Sequence, residues 1–168
     1  LNDVVALDYF EWFPSAYIKY DVSENHSVSL DYGRKLDRPR YQDLNPFAYF
    51  LNENNFSQGN SRLLPAFSHQ FNFNYSLQNK YFFDVYYRDN GENILTLPFQ
   101  NNVNQILRTD RQNALGSKSW GLDFTHGRSI KKWWYFYTYM SLFHEEETFL
   151  AVESGNVSYT NDVDGVYG

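Results

Sequence analysis

The stretch Pro65–Leu77, PAFSHQFNFNYSL, alternates without a break. Phe67, His69, Phe71, Phe73, Tyr75 and Leu77 hold one parity, and Ala66, Ser68, Gln70, Asn72, Asn74 and Ser76 the other. Successive side chains on a β-strand point to opposite faces, so this segment has one aromatic face and one face of small polar groups. The design recurs. Ile18, Tyr20 and Val22 oppose Lys19 and Asp21; Val28, Leu30 and Tyr32 oppose Ser27, Ser29 and Asp31; Trp120, Leu122 and Phe124 oppose Gly121, Asp123 and Thr125. In Tyr81–Asp89, Tyr81, Phe83, Val85 and Tyr87 oppose Phe82, Asp84, Tyr86 and Arg88, and in WWYFYTYMSLF both faces are apolar, with Trp134, Phe136, Met140 and Leu142 expected to point outward.

These periods predict six strands, near 14–22, 27–36, 65–77, 81–89, 117–127 and 133–144, as an all-β, antiparallel up-and-down meander. Each has about the 9–11 residues a tilted strand needs to cross a bilayer. The connections sort by length. Residues 23–26, 78–80 and 129–132 read as tight turns, whereas 37–64, 90–116 and 145–168 read as long loops. Short turns on one side and long loops on the other is the arrangement of an outer-membrane barrel, with the long loops outside the cell.

Composition narrows the choice. The chain has 15 Tyr, 15 Phe and 4 Trp, an aromatic share of 20% that exceeds what a soluble core needs. Its net charge of −6 lacks the basic footprint that nucleic acid requires. Without cysteine it has no disulfide framework and no thiolate metal site. No apolar run is long enough for a transmembrane helix, which a β-barrel does not need. A soluble β-sandwich that stacks sugars on aromatics also alternates apolar and polar residues and stays open as an alternative, as does a structural or adhesive outer-membrane barrel that transports nothing.

Several segments carry a resemblance. Pro14 and Ser15 open a strand. Arg38, Pro39, Tyr41, Leu44, Asn45, Pro46 and Phe47 form Arg-Pro-x-Tyr-x-x-Leu-Asn-Pro-Phe. Gly59, Asn60, Leu63 and Pro65 form Gly-Asn-x-x-Leu-x-Pro, and Gly116, Ser117, Ser119 and Gly121 form Gly-Ser-x-Ser-x-Gly. Over roughly residues 12–144 the chain resembles the outer-membrane β-barrel region of TonB-dependent-receptor-like proteins from Bacteroidetes. The resemblance implies a segment of a large barrel in the cell outer membrane, in contact with lipid. It implies energised uptake of a scarce ligand such as a metal chelate, oligosaccharide or peptide, with a plug domain and a TonB-type energy-transducing partner in the full-length protein. The plug is not among the recognisable segments. The chain reads as beginning and ending in loops, and an open sheet with two bare edges is expected to self-associate in isolation.

The candidate site is the loop after the second strand. Tyr41, Phe47, Tyr49, Phe50 and Phe56 either pack the loop against the barrel rim, the favoured reading, or offer stacking faces to a ligand. Arg34, Lys35, Arg38 and Arg40 lie where a strand leaves the membrane, placed for lipopolysaccharide phosphates or for rim pairing with Asp37 and Asp43. No catalytic constellation emerges: His26, His69, His126 and His144 lack zinc-helix spacing, and GSKSWG is only superficially a nucleophile elbow. TNDVDG, Thr160–Gly165, is similar to the start of a calcium loop but has Thr at the first ligand position, so solvated loop charge is the expectation. No metal and no cofactor is expected. Lys19, Asp21, Asp31, Asp84, Arg88 and Asp123 must face the lumen, because charge facing lipid is costly.

Overall fold

The computed structural model describes residues 10–151 and 155–168. Eleven strands and one helical turn form two sheets. The first has seven strands: β1 (Ser15–Ser23), β2 (His26–Asp37), β5 (Ala66–Leu77), β6 (Tyr81–Asp89), β9 (Gly116–Lys131), β10 (Trp134–Ala151) and β11 (Val157–Tyr167), paired in that order. Every neighbouring pair is antiparallel, so these strands form an up-and-down meander. The second sheet is built from the connections. It comprises β3 (Tyr49–Asn52), β4 (Asn55–Gln58), β7 (Ile94–Asn101) and β8 (Ile106–Asn113), in the order β3-β4-β8-β7, with α1 (Tyr41–Leu44) leading into it.

The six expected wall strands are present, and four of the expected connections need correction. The segment 129–132 is not a turn: β9 continues to Lys131 and the hairpin closes through Lys132 and Trp133. Aromatic and β-branched side chains extend the ladder beyond the point where the basic residues suggested a turn. The regions 37–64 and 90–116 are not irregular loops, because each contributes two strands to the second sheet. Among the described residues of 145–168 most are strand rather than loop: β10 runs on to Ala151 and β11 returns over Val157–Tyr167. The expected loop at the N-terminal end lies mostly outside the described residues.

The tight turns follow local chemistry. Gln78 and Asn79 adopt φ values of 54° and 51° in the three-residue connection 78–80 between β5 and β6, and the Lys80 amide closes the turn on the Leu77 carbonyl at 3.0 Å. Ser23 Oγ accepts a hydrogen bond from the Asn25 amide at 3.3 Å between β1 and β2. At the other end, β10 spans 18 residues, about twice what a bilayer crossing requires, so the upper halves of β9 and β10 rise beyond the membrane. The second sheet is anchored there. Gln112 donates to the Leu150 carbonyl at 2.9 Å, the Leu115 amide to the Thr148 carbonyl at 2.7 Å, and Asn93 to Glu147 at 3.3 Å.

Among the described residues no apolar layer packs against the seven-stranded sheet. Among the described residues the buried hydrophobics are only Leu63, Ala66, Leu95 and Ala114, and no large side chain is fully buried. A β-sandwich would bring apolar faces together in a dry core. This sheet instead leaves Leu30, Phe73, Val85, Trp120 and Met140 exposed along one face. That excludes the sandwich and calls for a non-aqueous surrounding.

Candidate lipid-facing wall and extracellular binding surface

Register turns the alternation into bands. Leu30, Phe73, Val85, Leu122 and Leu142 are successive cross-strand partners, and Val28, Tyr75, Phe83, Phe124 and Met140 form the next row. Above them runs a row of rings, Tyr32, Phe71, Tyr87 and Trp120, ending at His144. Tyr32 and Phe71 lie 4.7 Å apart and Phe71 and Tyr87 6.3 Å apart, so the rings touch across strands. One step higher the row is polar and charged: Arg34, His69, Asp89, Lys118, Glu146 and Asp162. An apolar band capped by an aromatic girdle and then by charge is the profile of a bilayer-facing wall at its interface. Trp134, Phe136, Met140 and Leu142 share this outward face, as expected.

The opposite face is polar. Asn72 donates to Asp31 at 2.9 Å and Asn74 to Ser29 at 3.2 Å, while Tyr139 donates to Asp123 at 3.2 Å. Lys19, Asp21, Asp31, Asp84, Arg88 and Asp123 all fall on this parity. Aromatics occur here too, with a local cause. The Tyr86 ring lies over Gly121 and the Phe143 ring over Gly165, each so close that a Cβ would collide with ring atoms. Each ring covers the backbone of a glycine on its cross-strand partner, the way an aromatic compensates for a missing side chain in a sheet.

Above the wall, the second sheet knits the first two long connections together. β4 pairs with β8 in parallel, joining segments some fifty residues apart. Asn113 reinforces the junction, accepting from the Leu64 amide and donating to the Leu64 and Glu92 carbonyls. β7 contains Pro98, which lacks an amide donor, and it is the edge strand of its sheet, where that loss is tolerated. Asp43, buried at the helical turn, is the electrostatic centre. It accepts from Arg40 Nε at 2.9 Å and Arg40 Nη2 at 3.1 Å, and pairs with Arg111 Nε at 3.3 Å. The Arg40 hydrogen bonds hold the Asp43 carboxyl below the usual carboxylate range, against the opposing effect of burial.

Two clefts open on either side of the Gln58–Gly59 ridge. One, about 410 Å³, is lined by Phe47, Tyr49, Arg40, Ser57 and Arg111. The other, about 340 Å³, is lined by Pro46, Arg62, Phe99, Arg108 and Arg111. Arg111 serves both. Of the five loop aromatics expected at the site, Phe50 and Phe56 pack on each other at 5.3 Å. Tyr41, Phe47, Tyr49 and Phe50 stay 83%, 80%, 71% and 63% exposed.

The four basic residues do not form one patch. Arg34 points outward, bound to Glu11 at 2.8 Å and the Trp12 carbonyl at 2.7 Å, with its guanidinium 4.5 Å above Phe67. Lys35 has the opposite parity, across from Ser68 on the polar face. Arg40 is engaged by Asp43, and Arg38 lies in the connection beyond β2. Arg62, Phe99, Arg108 and Arg111 had not been read as site residues. The available signal was the alternation of Leu95, Leu97 and Phe99 with Thr96 and Pro98, which marks a strand.

A meander with a lipid-type outward face, a polar inner face and short turns at one end is the wall of an outer-membrane β-barrel. The chain belongs to the outer membrane protein beta-barrel family, whose model matches residues 1–167. In structure it is similar to the siderophore receptor PirA from Pseudomonas aeruginosa, with a TM-score of 0.62 and 13% sequence identity. The match covers 94% of this chain and 34% of that one. At this identity the likeness shows the fold. No curated protein sequence matches the chain. The cell outer membrane is its location, and the short-turn end faces the periplasm by the family's loop asymmetry.

Proposed function

We propose that the chain supplies wall and extracellular ligand-binding surface to a TonB-dependent-type uptake receptor. The observation that carries this is the cleft beside the exposed rings of Phe47 and Tyr49, with the Phe99–Arg108 cleft next to it, set on a sheet at the extracellular end of a wall whose inner face is polar. Flat exposed rings next to guanidinium groups recognise ligands by stacking and charge-assisted hydrogen bonding. The likeness to a siderophore receptor supports a receptor role. In this reading the polar inner face contacts a plug domain, energy arrives through an inner-membrane partner, and the protein performs recognition and passage with no covalent chemistry.

The test is uptake by cells that produce the full barrel protein with Phe47→Ala, Tyr49→Ala or both. The double variant is expected to reach the outer membrane at normal levels and to lose at least about tenfold in ligand affinity, the loss of two stacking contacts. Unchanged growth and binding on every scarce nutrient that the unaltered protein imports would refute the site. Binding without any import in the unaltered protein would instead assign it to an adhesive barrel.

A further inference from the structure

We propose that His144, Glu146 and Asp162 form a binding site for a divalent first-row transition metal, Zn²⁺ foremost, on the outward face at the extracellular rim. One ligand atom from each side chain lies within 4.8 Å of the other two. The register explains the convergence. His144 and Glu146 are two apart on β10 and so share a face, and β11 sets Asp164 opposite His144 and Asp162 opposite Glu146.

Two features separate this cluster from ordinary rim charge. The first is that Glu146 and Asp162 are direct cross-strand partners, and like charges so placed repel. Lys118 stands across from Glu146 on β9 but makes no ion pair with either acid among the described residues, so the two acids share the His144 ring as their neighbouring source of positive charge. A bound cation relieves the repulsion. The second is that the imidazole is held from both sides. Nδ1–H donates to Asp164 at 2.8 Å, and the ring stacks on Trp120 at 5.5 Å between centroids. A histidine whose one nitrogen is bound by a carboxylate presents the other to a metal in a fixed orientation, the usual support of a zinc ligand.

The donor set selects the ion. One imidazole and two carboxylates suit Zn²⁺ and its neighbours, whereas Ca²⁺ requires six or more oxygens and gains nothing from the nitrogen. Zinc bonds of about 2.0–2.2 Å bring ligand atoms to roughly 3.5 Å of one another, which modest side-chain rotation achieves here. Three protein ligands leave a coordination position open. The bound metal would staple β10 to β11 where both leave the membrane. This site lies on the lipid-side face of the wall and is independent of the loop clefts.

The experiment uses the full barrel protein, folded in detergent, stripped with a chelator and titrated with Zn²⁺, with Co²⁺ absorption as a spectroscopic reporter. One equivalent should bind. His144→Gln should weaken binding by at least about 100-fold, Asp164→Asn by about tenfold through lost orientation, and a large excess of Ca²⁺ should not compete. Heat-resistant migration and far-UV circular dichroism verify that each variant is folded. Absence of Zn²⁺ binding, equal affinity in folded His144→Gln, or displacement by Ca²⁺ would each overturn the site.

Discussion

Gly59 is the most constrained position in the extracellular surface. A Cβ there would lie 2.5 Å from the Asn45 carbonyl, 2.6 Å from that of Asp43 and 2.8 Å from that of Gln42. Three backbone oxygens cannot move aside together, and the Gly59 amide is itself bound to the Asn45 carbonyl at 3.0 Å. Gly59→Val should therefore disorder α1 and β4 while leaving the wall intact, seen as protease cleavage within residues 41–60 of a barrel that still migrates as folded. Resistance equal to that of the unaltered protein would show that the close approach is relieved in solution. Asp43 adds a pH dependence with a definite sign. Its carboxyl titrates below its unfolded value, so its pairing with Arg40 and Arg111 contributes fully above the ordinary carboxylate range. That contribution is lost as pH falls through the lowered folded value. Protease sensitivity of the same segment should rise only in that acid window, and Asp43→Asn should be sensitive at neutral pH with little further change on acidification.

Strands β2 and β5 test which face meets lipid. Phe73 has Leu30 and Val85 as its outward neighbours, whereas Asn74, one residue on, faces Ser29 and Asp84. Phe73→Arg places a charge in the apolar band at a cost of about 2–4 kcal/mol and should block assembly into the outer membrane. Asn74→Arg should assemble normally, since it gains Asp84 as a partner on a wet face. Equal yields of the two in the membrane fraction would refute this assignment of faces. The wall strands were legible because lipid on one side and a polar lumen on the other impose a strict two-residue period. β11 was not, because outward positions Asp162 and Asp164 lie at its membrane boundary and carry no aromatic signal. The Asp-x-Asp spacing that suggested a calcium loop is equally the spacing of one strand face. The loop strands were missed because β3 and β4 have four residues each, too few for periodicity, and their pairing depends on distant partners.

The parallel contact between β4 and β8 makes the first two connections a single body. Ser57 and Thr109 are register partners across it. In adjacent strands such positions lie about 5 Å apart, within the span of a disulfide, and the sequence has no other cysteine to interfere. Ser57→Cys with Thr109→Cys should lock the pair. If the connections must separate to pass ligand inward, the oxidised protein keeps its affinity and loses import, and a reductant restores it; import undiminished by the lock would mean that the sheet opens elsewhere or not at all. The same pairing fixes an order of events during biogenesis. Wall strands meet their neighbours through hairpins or after a connection, and the two connections can find each other only once β5, β6 and β9 have aligned their ends. Contacts of long sequence separation form late because chain entropy must be overcome first. The sheet above the wall is thus the last part of this region to mature, and a barrel caught midway through insertion has its wall but not yet its cap.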